Sequence, residues 1–295
     1  MGITCAYHQN NDNKQPEVTS ESDEELDILT PRPLAKKDVV FIWNLDIFLK
    51  LMTTSLEKEK EKDILQEQVD ELVLDLAERH FYYKDLQEYK IVNIYENPLV
   101  DTGQNIRTST FSDDTNKPGD FSENMSIEDK KIYNKLTSLC RRVKESYCQN
   151  CKKHIDELIS REKEHLWSNV KRKMESFKDK WLSEAVRSLQ IINSRSSCVN
   201  ILLTSSHLMQ ALSRVLLFEL GDVFRIENIY STANIGKEKC FRKISQQFGE
   251  NSNVFVFGVN KEDEKLAEKL KMAFWKVSDQ EDVDSLHHAL KHNYL

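Results

Sequence analysis

The sequence predicts an α/β fold, a doubly wound parallel sheet interrupted by a helical insertion. Three observations predict it. The run Val39-Val40-Phe41-Ile42-Trp43 is apolar throughout and made of β-branched and aromatic residues, as in a strand buried on both faces. After residue 193 short apolar runs alternate with helical patterns, the rhythm of strands joined by crossover helices. Between these regions, over residues 51–192, three- and four-residue periodicity dominates.

Composition agrees. Seven Gly and five Pro among 295 residues are few, since ordinary usage is about 7% and 5%, and with abundant Lys and Glu this favours helix over an all-β sandwich or barrel. Hydrophobic residues at 39% and aromatics at 9% supply a real core and exclude disorder over most of the chain. Six cysteines with no secretory leader point to free thiols in a reducing compartment. No run of 18 apolar residues exists to form a membrane span.

Residues 1–37 read as an acidic tail. Residues 1–30 carry seven acids against Lys14 alone, a local charge of about −6, with too little apolar surface to offset the entropy of ordering. The α/β core is expected at 38–50 and 193–295, with 51–192 inserted as a helical cap. In the cap, Glu57 to Arg79 forms a helix with Ile64, Leu65, Val69, Leu72, Val73 and Leu76 on one face. The stretch near 91–127 is loop chemistry, marked by Asn97-Pro98, Thr102-Gly103 and Lys117-Pro118-Gly119-Asp120. Residues 128–192 make two or three amphipathic helices. Their core candidates are Leu136, Leu139, Val143, Tyr147, Ile155, Leu158, Leu166, Trp167, Trp181, Leu182 and Leu189. Then come a strand at Cys198–Leu203, a helix at His207–Leu220 ending at Gly221, and a short strand at Phe224–Tyr230. A helix at Lys237–Phe248, a strand at Val254–Phe257 and a last helix at Asp282–His292 complete the chain.

Chemistry in an open α/β sheet sits beyond the carboxyl ends of its strands. Three places qualify: Asn44-Leu45-Asp46, Thr204-Ser205-Ser206 and Gly258-Val259-Asn260. Asp-x-Asp after the first strand would signal phosphoryl transfer, one carboxylate attacking phosphorus and the other serving as acid and base beside magnesium. Here the first position is Asn44.

VFIWNLDIF resembles the VFVWDLDET motif of the Eyes absent family. NSRSSCVNILLTSSHL, the run from Leu216 into FRIENIYSTANIGKEKCF, and MAFWKVSDQEDVDSLHHALKHNYL resemble that family as well. The likeness covers roughly residues 38–295 and is weakest in the middle. It implies a haloacid-dehalogenase-like fold. It also implies a family of magnesium-dependent protein tyrosine phosphatases, found in nucleus and cytoplasm, that act as transcriptional coactivators by binding Six-type homeodomain proteins. The departures fall on the site. Asn44 stands at the nucleophile position, Phe48 at a family Thr and Val259 at a magnesium-binding Asp; Asp46, the acid/base position, is kept. Thr204 or Ser205, with Lys237, matches the phosphate-binding residues and would remain as an anion-binding remnant or as folding residues. A carboxamide cannot form the aspartyl-phosphate, and two anionic ligands are gone. The resemblance with these departures therefore leads to the expectation of a pseudophosphatase that has lost magnesium; the alternatives are a magnesium-dependent protein tyrosine phosphatase of reduced activity and a protein-interaction scaffold. Phe48 is expected to place a bulky ring beside the phosphate position.

Other signals are weaker. Cys148-x-x-Cys151-x-x-His154 is half a metal site on one predicted helix, which cannot wrap a tetrahedral ion alone. His288 and His292, four apart, could share a ligand but fit an exposed helix face better. Residues 130–195 carry 17 Lys+Arg against 8 Asp+Glu. Without a DNA-reading motif, that excess suits solvated helix faces or an acidic protein partner rather than nucleic acid. Leu286, Ala289 and Leu290 form a short apolar stripe with a small residue in its middle. The resemblance makes this stripe the contact for a helix of the Six partner; the alternative is packing on its own sheet.

Overall fold

The computed structural model describes residues 37–48, 59–95, 126–177, 181–248 and 252–295. Residues 1–36 of the expected tail and 96–125 of the expected loop lie outside the described residues. The elements run β1 (Val39–Asn44), α1 (Glu59–His80), α2 (Tyr83–Leu86), α3 (Ile127–Asn150), α4 (Glu164–Phe177), α5 (Trp181–Ser194) and β2 (Cys198–Thr204). They continue α6 (Leu208–Leu217), β3 (Ile229–Ser231), α7 (Lys237–Phe248), β4 (Asn253–Gly258), α8 (Lys261–Lys269), β5 (Ala273–Lys276) and α9 (Gln280–Lys291).

The strands form one parallel sheet in the order β3-β2-β1-β4-β5. This is the α/β architecture that the haloacid-dehalogenase resemblance implies. β1 is central, with Trp43 level with Leu202 on one side and Phe257 on the other. The order reverses about β1, so its carboxyl end opens into the crevice where such sheets bind ligands. Alternation along β1 divides the core. Phe41 and Trp43 face the inserted helices, whereas Val40 and Ile42 face Phe241, Ile244 and Phe248 of α7 and Ala267 of α8. Trp43 stacks on Phe257 with ring centroids 4.2 Å apart. Its indole N–H donates to Asn200 Oδ1 at 2.9 Å, and Asn200 Nδ2 donates in turn to Asn193 Oδ1 at 2.9 Å. This hydrogen-bond chain, buried at Asn200 and reaching the surface at Asn193, ties β1 through β2 to the end of α5.

The insertion is continuous with the sheet's own core. Leu65, Val69, Leu72, Val73 and Leu76 of α1, Leu136, Val143 and Tyr147 of α3, and Trp167 and Val170 of α4 share one apolar cluster with Phe41 and Trp43. Ile64, expected on the same face, is 40% exposed. Leu166 is only half-buried, and the Trp181 side chain lies outside the described residues. Among the described residues no helix is long and apolar enough to cross a membrane.

Several boundaries differ from expectation. α6 stops at Leu217, and the left-handed turn after it is made by Glu219, at φ 55°, rather than by glycine. Gly221 serves a different need: a Cβ there would lie 2.4 Å from the Cys151 carbonyl oxygen. The middle of the strand expected at Phe224–Tyr230 is a 3-10 turn, Ile226–Asn228, and only its last two residues pair in the sheet, within Ile229–Ser231. The start of the expected loop is buried instead. Val92 O accepts the Ser231 N–H at 2.8 Å, and Asn93 Nδ2 donates to the Glu227 and Ile229 carbonyls, both at 2.9 Å. This covers the outer edge of β3, an edge the chain would otherwise leave unpaired. α8 and β5 were not predicted. The first is nearly all charge, and the second is a four-residue strand that is nowhere fully buried.

Candidate functional site at the carboxyl end of the sheet

Asn44 closes β1 and is 8% exposed. Its Oδ1 accepts the Asp46 N–H at 2.9 Å, and its Nδ2 donates to Asp263 Oδ2 at 3.4 Å. These two bonds fix which end of the amide points where. Asp263, in the first turn of α8, is 3% exposed. Its Oδ1 accepts from Lys237 Nζ at 2.5 Å. Lys237 opens α7 directly after Gly236, whose φ of 77° favours glycine. Gly258 lets α8 approach, since a Cβ there would meet the Phe274 ring at 2.9 Å and Asp263 Cβ at 3.2 Å. Asn44, Thr204, Ser205, Thr232, Lys237 and Asp263 provide the polar lining of a crevice of about 280 Å³, part of it open to solvent, with Ile42, Phe241 and Phe257 among its apolar walls.

Asp46 does not line that crevice. Ser205 Oγ donates to its Oδ2 at 3.1 Å, and Arg214 Nη1 lies 3.9 Å from its Oδ1. Arg214 also donates to Ser206 Oγ at 2.9 Å and pairs with Asp70 of α1 at 2.7 Å, linking the strand end to the insertion. Thr204 is buried; its Oγ1 accepts the Ser206 N–H at 3.0 Å, while its carbonyl accepts from Thr232. His207 caps α6, its Nδ1 accepting the Met209 N–H at 3.3 Å and its Nε2 lying 3.2 Å from the Tyr89 carbonyl. That pairing requires the neutral ring with its proton on Nε2. Burial, opposed by the backbone hydrogen bonds, holds its pKa below the ordinary 6.5.

The structure corrects one expectation, and for the last helix it fits the packing alternative. Phe48 is not beside the phosphate position. Its ring is 1% exposed, packs edge-on against Phe224 and lines a separate apolar pocket with Trp43, Ile47, Ala185, Val277, Val283 and Leu286. The stripe on the last helix also points inward. Leu286 and Leu290 are core residues at 1% and 0% exposure, and Ala289 keeps only 9%, because α9 packs on α5. Val259 is half-buried against the apolar cluster that the insertion shares with the sheet. Cys148 is exposed and Cys151 half-buried, and His154 sits 3.2 Å from Glu219. No group of three metal-ligating side chains occurs among the described residues.

Two site residues escaped sequence reasoning. Asp263 lies within Glu262-Asp263-Glu264, where composition cannot tell which acid turns inward. Arg214 is the one charge in LMQALSRVLL, a largely apolar helix.

No family model matches the chain. It is similar to protein phosphatase EYA1 of Mus musculus, at 37% identity over 270 residues, covering 87% of this chain and 46% of that protein. It is similar to protein phosphatase EYA2 of Homo sapiens, at 34% over 284 residues, covering 90% of this chain and 52% of that protein. Protein phosphatase EYA3 of Gallus gallus is 45% identical over 115 residues, 39% of this chain and 96% of that sequence. The chain thus spans about half the length of the first two relatives. With a parallel sheet whose central strand ends in Asn44-Leu45-Asp46, and with this likeness along most of its length, the chain belongs to the Eyes absent family of haloacid-dehalogenase-like protein phosphatases, as a divergent member.

Proposed function

We propose that this domain is a pseudophosphatase that works by protein binding, as a transcriptional coactivator for a Six-type homeodomain protein in nucleus and cytoplasm. The observation that carries the reading is the setting of Asn44. Its carboxamide presents nitrogen to Asp263 and commits its oxygen to the Asp46 N–H. A neutral amide so held cannot attack phosphorus or form an acyl-phosphate.

The donor set does not fit magnesium, which requires near-octahedral hard oxygens. The Val259 side chain offers no donor. Asp263 is neutralised by Lys237, and Asp46 faces Ser205 and Arg214. Thr204 and Lys237 are kept, but the lysine's ammonium is engaged within the fold.

The test has two arms. In the first, the purified chain is assayed on an aryl phosphate over a magnesium titration. No magnesium-dependent turnover is expected, and clear turnover, or a trapped phospho-adduct, overturns the pseudophosphatase reading. In the second, direct binding to a Six-type homeodomain protein is measured by calorimetry. A saturable one-to-one complex is expected, and its absence removes the coactivator reading. Because Leu286 and Leu290 are core residues, the contact on α9 falls to the rim around Ala289 and the exposed Ser285.

A further inference from the structure

We propose that His288 and His292 form a two-point chelate for a borderline divalent transition metal, copper, nickel or zinc, on the exposed face of α9. The two imidazole ring centroids are 4.3 Å apart, and both residues are exposed. Residues four apart on a helix stand one above the other. The turn between them is closed, since the His292 N–H donates to the His288 carbonyl at 3.1 Å. The pair is therefore preorganised, and two coplanar-capable rings at this spacing can each turn one nitrogen toward a shared ion at about 2.0–2.1 Å.

The neighbourhood favours a cation of this class. Imidazole suits copper, nickel and zinc, whereas magnesium and calcium want oxygen. His292 is the C-cap of α9, at the negative end of the helix dipole, although the Arg195 guanidinium already donates there to the Leu290 carbonyl and to Asn293 Oδ1. Asp284 stands one turn before His288 and adds a negative charge on that side, although Lys291 flanks the pair with a positive one. Tyr294, 74% exposed, has its ring centroid 6.0 Å from that of His292 and walls one side. No third His, Cys, Asp or Glu joins the pair among the described residues. Two coordination positions or more would then be left to water or to a ligand from another molecule.

The experiment uses nickel ions alone as the probe. The full chain and its His288→Gln, His292→Gln and double variants are unfolded in urea with and without nickel, and nickel binding is measured by calorimetry. Both side chains are exposed, so the midpoints without metal are expected to coincide, which shows that the variants fold. The parent is expected to bind one nickel and shift its midpoint upward with metal concentration. Either single variant is expected to lose roughly tenfold or more in affinity, because a chelate needs both arms. The double variant is expected to show no shift. A parent without a nickel-dependent shift at millimolar metal, or a shift that survives in the double variant, overturns the proposal; the latter would move the site elsewhere, with Cys148 and Cys151 next to be tried.

Discussion

Replacing Asn44 by Asp restores the carboxylate that the family resemblance expects, and it should destabilise this protein. The new oxygen would stand where Nδ2 now donates to Asp263, 3.4 Å away. Two unit charges at that distance repel by about 5 kcal/mol at an effective dielectric constant of 20. Asp263 already shares the Lys237 ammonium, so only part of the repulsion is screened by that cation. The site can also relax by holding a proton. A net loss of about 2–4 kcal/mol is therefore expected for Asn44→Asp at pH 8. The sign follows from linkage. A carboxyl whose folded pKa lies above its unfolded value of about 3.9 takes up a proton on folding. Its penalty is absent at low pH, grows as pH rises through the unfolded pKa, and levels off above the folded one. Urea unfolding of the parent and the variant at pH 5 and pH 8 measures this, provided the urea slopes agree. Equal stability of the two proteins at pH 8 would refute the reasoning, because it would mean that the Asn44 amide and Asp263 do not interact.

Three further perturbations follow from the same geometry. Lys237→Met leaves Asp263 charged and buried and is expected to cost about 2–4 kcal/mol, at the low end because Lys237 is 31% exposed; adding Asp263→Asn should recover most of the loss in a double-mutant cycle. Gly221→Ala forces a methyl against the Cys151 backbone and is expected to cost about 1–3 kcal/mol in urea unfolding. His207, whose pKa is depressed mainly by burial, contributes stability that is complete above pH 6.5 and lost as pH falls toward the folded pKa. His207→Asn keeps an N-cap acceptor and is expected to flatten the stability profile in that window. An unchanged profile would show that the ring's protonation is not linked to folding.

How much of this was legible depends on where the signal lies. β1, β2 and β4 were visible because buried parallel strands are continuous apolar runs, as in Val39–Asn44 and Cys198–Thr204. α7 was visible in full because its apolar stripe has a clear helical phase. β5 was missed because a short, partly buried edge strand carries little burial pattern. The false strand at Phe224–Tyr230 is apolar for a different reason: Phe224 and Ile226 pack into the insertion's core from a turn, and apolar runs alone do not separate the two. At the site, the strand-end positions of Asn44, Thr204 and Val259 could be read from the sequence, because strand order and chain direction place them. Side-chain direction could not. Phe48 turns away from the crevice into the apolar cluster, and Asp263 turns into it from a charged run. Both follow from the tertiary packing of helices whose approach no local pattern records.

If Asn44 and Val259 are departures from a metal-binding pair of carboxylates, as the proposed reading has them, they are coupled, and the coupling can be measured. The pairing of Trp43 with Phe257 sets Asn44 level with Gly258, one residue from Val259. Asp263 has Lys237 to itself, whereas Asp46, 3.9 Å from Arg214, shares that cation with Asp70 at 2.7 Å. The charges at the site are therefore largely compensated without a metal, whereas a carboxylate cluster that binds a divalent ion is strained when the ion is absent. On the proposed reading, Asn44→Asp and Val259→Asp each destabilise, and without magnesium the double variant loses more than the two single losses together. Magnesium should reverse that interaction, since only the double variant assembles anionic oxygens on both strands. It should then gain stability with magnesium concentration while the parent and both single variants do not. A cycle whose coupling energy has the same sign and size with and without magnesium would mean that the two positions do not share a cation, and the charge-balance account of this site would fail.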